Sequence, residues 1–198
     1  MTNQSHIHPY VEWAKSHLNE MDASLALFES KIEHQKDAAS RKAMDIIADM
    51  KKRRDAFQAR AEGALAMTEQ EWSAAKAEME SEWNKFEIGV DDYFDTVSER
   101  VGEYQSAFSA RIDAQRKAWD ETIQKNNAAA KEFLGERTKD VEAAAAKLER
   151  DLHEAEQKLR NVKVASHTSW SAMREALSQS RKAYDKAIDE MQKAFRAV

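Results

Sequence analysis

From Glu71 onward a large apolar side chain returns every eleven residues, in two parallel series. One runs Phe86, Val97, Phe108, Trp119, Val141 and Leu152, with Ala130 in the gap. The other runs Met79, Val90, Val101, Ile112, Ile123 and Leu134. Three turns of α-helix take about eleven residues, so both series fall on one side of a helix. Upstream, Val11, Ala14, Leu18, Met21, Leu25, Phe28 and Ile32 alternate steps of three and four, which is a heptad seam. Smaller residues continue it through Ala39, Ala43, Ile46 or Ile47, Met50 and Phe57. Repeats of this kind build rods, bundles and amphipathic surfaces rather than pockets.

The pattern predicts an all-α chain, an elongated helical hairpin or three-helix bundle or coiled coil with heptad and then eleven-residue repeats. Residues 1–8 read as a flexible tail, and Pro9 suits the first turn of a helix. One helical domain over 9–198 is expected: a helix over 9–62, a turn at 63–68, a long helix over 68–164, a kink at 165–168 and a last helix over 169–198. Gly63 suits a left-handed helix end. Thr68 and Glu71 have the spacing of a capping box, in which each side chain satisfies the other's backbone N–H. Asn126, Asn127 and Gly135 leave the eleven-residue phase intact, whereas around 159–168 it slips by one residue. Uninterrupted from residue 68, the rod would reach about 195 Å at about 1.5 Å per residue. Such a length favours folding back or pairing with another copy.

Composition agrees. With 4 Gly and 1 Pro in 198 residues, the chain lacks the turn formers that a β or mixed fold needs. Ala, Glu, Lys, Arg, Gln and Met, the strong helix formers, dominate instead. The absence of Cys excludes disulfides, thiol catalysis and Cys-based metal sites. The polar N-terminus has no apolar signal-peptide core, and no apolar run approaches the about 20 residues that span a bilayer, so a cytoplasmic location is expected.

Net charge is −5, unevenly spread. Residues 31–60 hold nine Lys or Arg against five acids, and residues 61–104 hold three against twelve. Neighbouring blocks of opposite sign align if the chain doubles back between them; two separately solvated faces are the alternative.

Candidate chemistry is sparse. His6 and His8 sit in the tail, and the residues three before His17, His34, His153 and His167 are Ala14, Lys31, Arg150 and Val164. The Glu-x-x-His motif of helical di-iron proteins is therefore absent, as is His-Glu-x-x-His. No Gly-rich phosphate loop or Gly-x-Ser-x-Gly elbow occurs. Lys51-Lys52-Arg53-Arg54 is the sharpest basic cluster, but Asp45, Asp49 and Asp55 flank it, so it reads as a solvated face or a partner for the acidic segment. No catalytic residue, metal, cofactor or nucleic-acid partner is expected.

What remains is the apolar stripe. On the helix wheel it is flanked by Glu71, Glu82, Tyr93, Tyr104, Gln115, Asn126 and Arg137, which keeps it narrow, as suits helix–helix packing. Lipid-bound helices carry a broader face bordered by Lys and Arg. Yet residues 72–133 contain no Leu and many aromatics, which protein interfaces and membrane interfaces both favour. The expected interaction seam is Leu18, Leu25, Phe28, Trp72, Trp83, Phe86, Val97, Phe108 and Trp119. It points to a non-catalytic scaffold that self-associates or packs on a partner helix, with peripheral binding to a membrane or granule surface as the alternative.

A tyrosine-led first helix, Lys51-Lys52-Arg53-Arg54-Asp55, an Ala-rich turn, and Trp72 and Trp83 eleven apart follow one another in that order. Over about residues 8–125 this resembles a family of small bacterial coiled-coil proteins described as stress-response proteins. The resemblance implies a non-enzymatic cytoplasmic helical protein linked to stress. The eleven-residue repeat is also similar to that of exchangeable apolipoproteins, without the prolines that separate their repeats.

Overall fold

An apolar seam that keeps its phase can belong to one long helix or to two helices folded face to face. The computed structural model, which describes residues 9–33, 38–63, 66–97, 101–132, 138–164 and 170–196, takes the second course. Among the described residues the chain is all-α. Its helices are α1 (Pro9–Ile32), α2 (Ala38–Ala61), α3 (Glu69–Thr96), α4 (Val101–Glu132), α5 (Thr138–Val164) and α6 (Trp170–Arg196).

The helix expected over 9–62 is thus two helices, and the one expected over 68–164 is three. A repeat reports which face is apolar but is blind to a reversal that returns the chain in the same phase. Reversal lets the seam bury itself: Ile32 at the end of α1 and Ala43 and Ile47 on α2 are all buried. Arg54 bonds Asp22 at 2.7 Å, and Lys51 meets Glu29. The residue number rises along α1 as it falls along α2, so the two run antiparallel.

The basic and acidic blocks meet in the same way. Arg60 of α2 lies 2.6 Å from Glu78 of α3, and Arg53 lies 3.5 Å from Glu82. That pairing also runs antiparallel. Against α3, α4 reverses once more, as Glu87 with Arg111 and Phe94 with Tyr104 record.

Local signals explain some of the boundaries. Thr68 accepts the Glu71 N–H at 3.3 Å, and its own N–H donates to the Glu71 carboxylate at 2.8 Å. These two bonds, made from an extended Thr68 (φ −70°, ψ 164°), start α3. Those bonds to Thr68, its N–H first, hold the Glu71 carboxyl below its ordinary value. Gly63 does not take the left-handed conformation expected of it. Instead its carbonyl accepts the Ala66 N–H at 3.1 Å. At the other end of α3, the Val97 N–H bonds Tyr93 O at 3.0 Å and closes the helix. Asn126 and Asn127 do not interrupt α4. The tail at 1–8, Gly135 and the kink at 165–168 lie outside the described residues.

Where one domain was expected, contacts divide the chain into two units, residues 14–114 and residues 1–13 with 115–198. In the first, α1 to the start of α4 enclose Met21, Phe28, Met50, Phe57, Met79, Phe86, Val90, Tyr93 and Phe108, none more than 1% exposed. In the second, α5 packs on α6, the end of α4 meets α6 through Trp119 with Tyr184 and Gln115 with Leu177, and Leu152, Leu159, Met173, Leu177, Tyr184 and Ile188 are buried.

The first unit contains one close approach that reverses an ordinary helix rule. Replacing a helical Gly by Ala normally gains up to about 1 kcal/mol. At Gly89 the added Cβ would sit 2.6 Å from Cγ of Met50, itself 1% exposed. Overpacking of a tight core costs about 1–3 kcal/mol. Gly89→Ala is therefore expected to lower stability in urea unfolding; a more stable variant would show that α2 and α3 have room to spare here.

Candidate interaction site: an aromatic core with buried polar layers

Nine positions were expected to form the seam. Leu25, Phe28, Trp72, Trp83, Phe86, Phe108 and Trp119 are buried, while Leu18 and Val97 are half-buried. Trp119 belongs to the second unit, where its ring stacks on Tyr184 at 5.9 Å. The others belong to the first. There Trp83 stacks on Phe86 at 6.1 Å, and Phe28 stacks on Tyr93 at 4.0 Å with Phe94 edge-on at 5.4 Å. His17, one turn from Met21 on α1, meets Trp83 edge-on at 4.7 Å and stacks on Phe57 at 6.0 Å. Rings from α1, α2 and α3 thus close on one another, each contact adding about 0.5–1.5 kcal/mol to the area it buries.

Polar residues also occupy this core. Arg111 of α4 has no exposed side-chain surface. Its Nε donates to Glu20 of α1 at 3.1 Å, its Nη2 donates to Glu87 of α3, and its guanidinium lies 5.3 Å from the centre of the Trp83 ring. Glu20 is as fully buried as Arg111, and Glu87 is 12% exposed. Burial alone would lower the Arg111 pKa. The charges and hydrogen bonds of Glu87 and Glu20 outweigh it and hold the guanidinium above its ordinary value.

A second layer lies in the other unit. The Tyr184 hydroxyl is 2.7 Å from Thr122 Oγ1, which reaches Glu12 Oε2 and Ala118 O, each at 2.9 Å. Lys125 completes it on Glu12 Oε1. With Tyr184 donating to Thr122, the single Thr122 proton serves either Glu12 or the Ala118 carbonyl. Burial raises the Tyr184 pKa. A third layer in the same unit is neutral: the Gln115 amide donates to Leu177 O at 3.2 Å and accepts from Ser180 at 2.8 Å.

None of these layers was expected, yet α4 carries a signal. Phe108, Arg111, Gln115, Ala118 and Thr122 are buried and spaced three, four, three and four apart. That is a heptad line with three polar members, hidden by a search that admits only apolar residues. Outside the core, Lys51, Arg53 and Arg54 each meet a carboxylate, on Glu29, on Asp49 and Glu82, and on Asp22 and Asp55. An open groove of about 590 Å³ separates α1 from α2, with Ile32 and Ile47 beneath and Glu29, Glu33 and Lys51 among its lining. Among the described residues, no group of three or more His, Asp or Glu is placed to hold a metal ion. Nor is any described helix long and apolar enough to cross a membrane.

With the fold and the layers in view, comparison with family models, curated proteins and solved structures finds no match for this chain. The arrangement itself offers paired charge and closely packed rings, which can fix how helices associate.

The Thr122 hydroxyl is the junction of the second layer, so removing it leaves buried polar partners short of a bond. Thr122→Val, which keeps the shape, should cost about 1–3 kcal/mol in urea unfolding. Thr122→Ser, which keeps the hydroxyl, should recover most of that loss. Equal losses in both variants would show that the methyl group matters and the layer does not.

Proposed function

We propose that this chain is a non-catalytic helical scaffold, an interaction protein that works by packing helix on helix. One observation carries the reading: Trp83, Phe86 and Phe108 are 7%, 0% and 0% exposed, enclosed by helices of the chain itself. Arg111, seated over Trp83 and matched by two carboxylates, further suits those rings to helical neighbours. A face built for lipid turns its rings outward and lines its borders with Lys and Arg.

The partners that fit are a second copy of the chain or another helical protein, and no cofactor enters the reading. The bacterial, cytoplasmic and stress-linked setting comes from the sequence and its resemblance alone. Because Lys51, Arg53 and Arg54 are matched by nearby acids, nucleic acid is not among the proposed partners.

Peripheral attachment to a membrane or granule surface would require the helices to part and Arg111, Glu20 and Glu87 to lose one another. Flotation with vesicles of mixed zwitterionic and anionic phospholipid separates the two readings, with Trp emission recorded alongside. The protein is expected to stay at the bottom of the gradient with unchanged emission. Co-flotation with a blue shift would overturn the scaffold reading in favour of the lipid one.

A further inference from the structure

We infer that the Glu20–Arg111–Glu87 layer is a register lock: it admits one alignment of α1, α3 and α4 and rejects the slipped ones that the aromatic seam alone would tolerate. This inference rests on the helix-packing reading and names what makes that packing unique.

The seam by itself is permissive. Apolar residues recur along α1 every three or four positions, from Ala14 through Leu18, Met21, Leu25 and Phe28 to Ile32. A slide of one helical turn, about 5.4 Å, brings one apolar row against the next with modest loss. The charged layer does not slide. Glu20 and Arg111 are both fully buried and meet at 3.1 Å, although 91 residues separate them along the chain. One turn along α1 from Glu20, on the same face, stand Ser16 and Ser24, neither of which carries a charge. One turn along α3 from Glu87 stand Trp83 and Asp91; only the second is acidic, and a slide of α3 that brought it to Arg111 would take the largely buried Glu87 carboxylate away from the guanidinium. In any slipped alignment a buried guanidinium or a buried carboxylate is left unmatched, which a low-dielectric core strongly disfavours. The lock therefore acts chiefly by destabilising alternatives, and an apolar layer of similar volume would hold the helices together without choosing among alignments.

The chain has no Cys, so a pair of spin labels can be placed without background. Ser30→Cys on α1 and Gln105→Cys on α4 are both exposed positions of the first unit. Their separation is read by pulsed electron resonance in the full-length chain, with and without Glu20→Leu, Glu87→Leu and Arg111→Met combined. The unaltered layer should give one narrow distance. The triple variant should broaden it or add a second distance displaced by about 5 Å, one helical turn. If the triple variant does not fold, Glu20→Leu with Arg111→Met gives the same reading, because Glu87 lies at the part-exposed edge of the layer. A single narrow distance, unchanged by replacement of the layer, would overturn the lock. Flotation of the unaltered protein would instead remove the packing reading beneath it, so the two failures are told apart.

Discussion

A guanidinium with no exposed surface constrains everything packed around it. Arg111 has no access to water, and only carboxylates held within bonding distance make its charge tolerable there. Glu20 and Glu87 come from two other helices, so pairing this one side chain with both ties three backbones together. Buried ion pairs of this kind add little net stability over an apolar core of the same volume. Removing one member, however, leaves an unmatched charge and costs about 3–5 kcal/mol. The rings around the layer supply most of the cohesion; the layer selects the arrangement in which they cohere.

Other contacts of the first unit depend on that same arrangement. Met50 fills the space above Gly89 only because α2 and α3 approach closely there. The paired charges along α2 and α3 are more exposed, and surface pairs contribute about 0–1 kcal/mol each. They follow the alignment more than they cause it. In the second unit, Glu12, Thr122 and Tyr184 and the pair Gln115 and Ser180 place buried polar partners on different helices in the same manner. Polar residues inside a helical core thus recur in both units.

Much of this was legible in the sequence. The poverty of Gly and Pro and the apolar periodicity declare an all-α chain, and Thr68 with Glu71 marks the start of α3. The opposite charge of residues 31–60 and 61–104 anticipates the pairing of α2 with α3. The reversals between α1 and α2 and between α3 and α4 were hidden because each returns the chain with its apolar phase unbroken. Gly63 misled because its residue type permits a left-handed end without requiring one. Arg111, Gln115 and Thr122 were missed for a different reason: they occupy core positions that a hydrophobic filter reads as gaps. Once polar residues are allowed into the line, the three-and-four spacing of α4 through Phe108, Arg111, Gln115, Ala118 and Thr122 is plain. Whether such a residue finds a partner depends on helices far away in sequence, and no local pattern carries that information.

The most direct test of the account is a double-mutant cycle on Glu20 and Arg111, with Glu20→Leu, Arg111→Met and both together compared in urea unfolding. If the charges exist for one another, each single change should cost about 3–5 kcal/mol and the double variant far less than their sum. Losses that add within about 0.5 kcal/mol, as for independent sites, would contradict the claim that this pair governs how the helices are arranged.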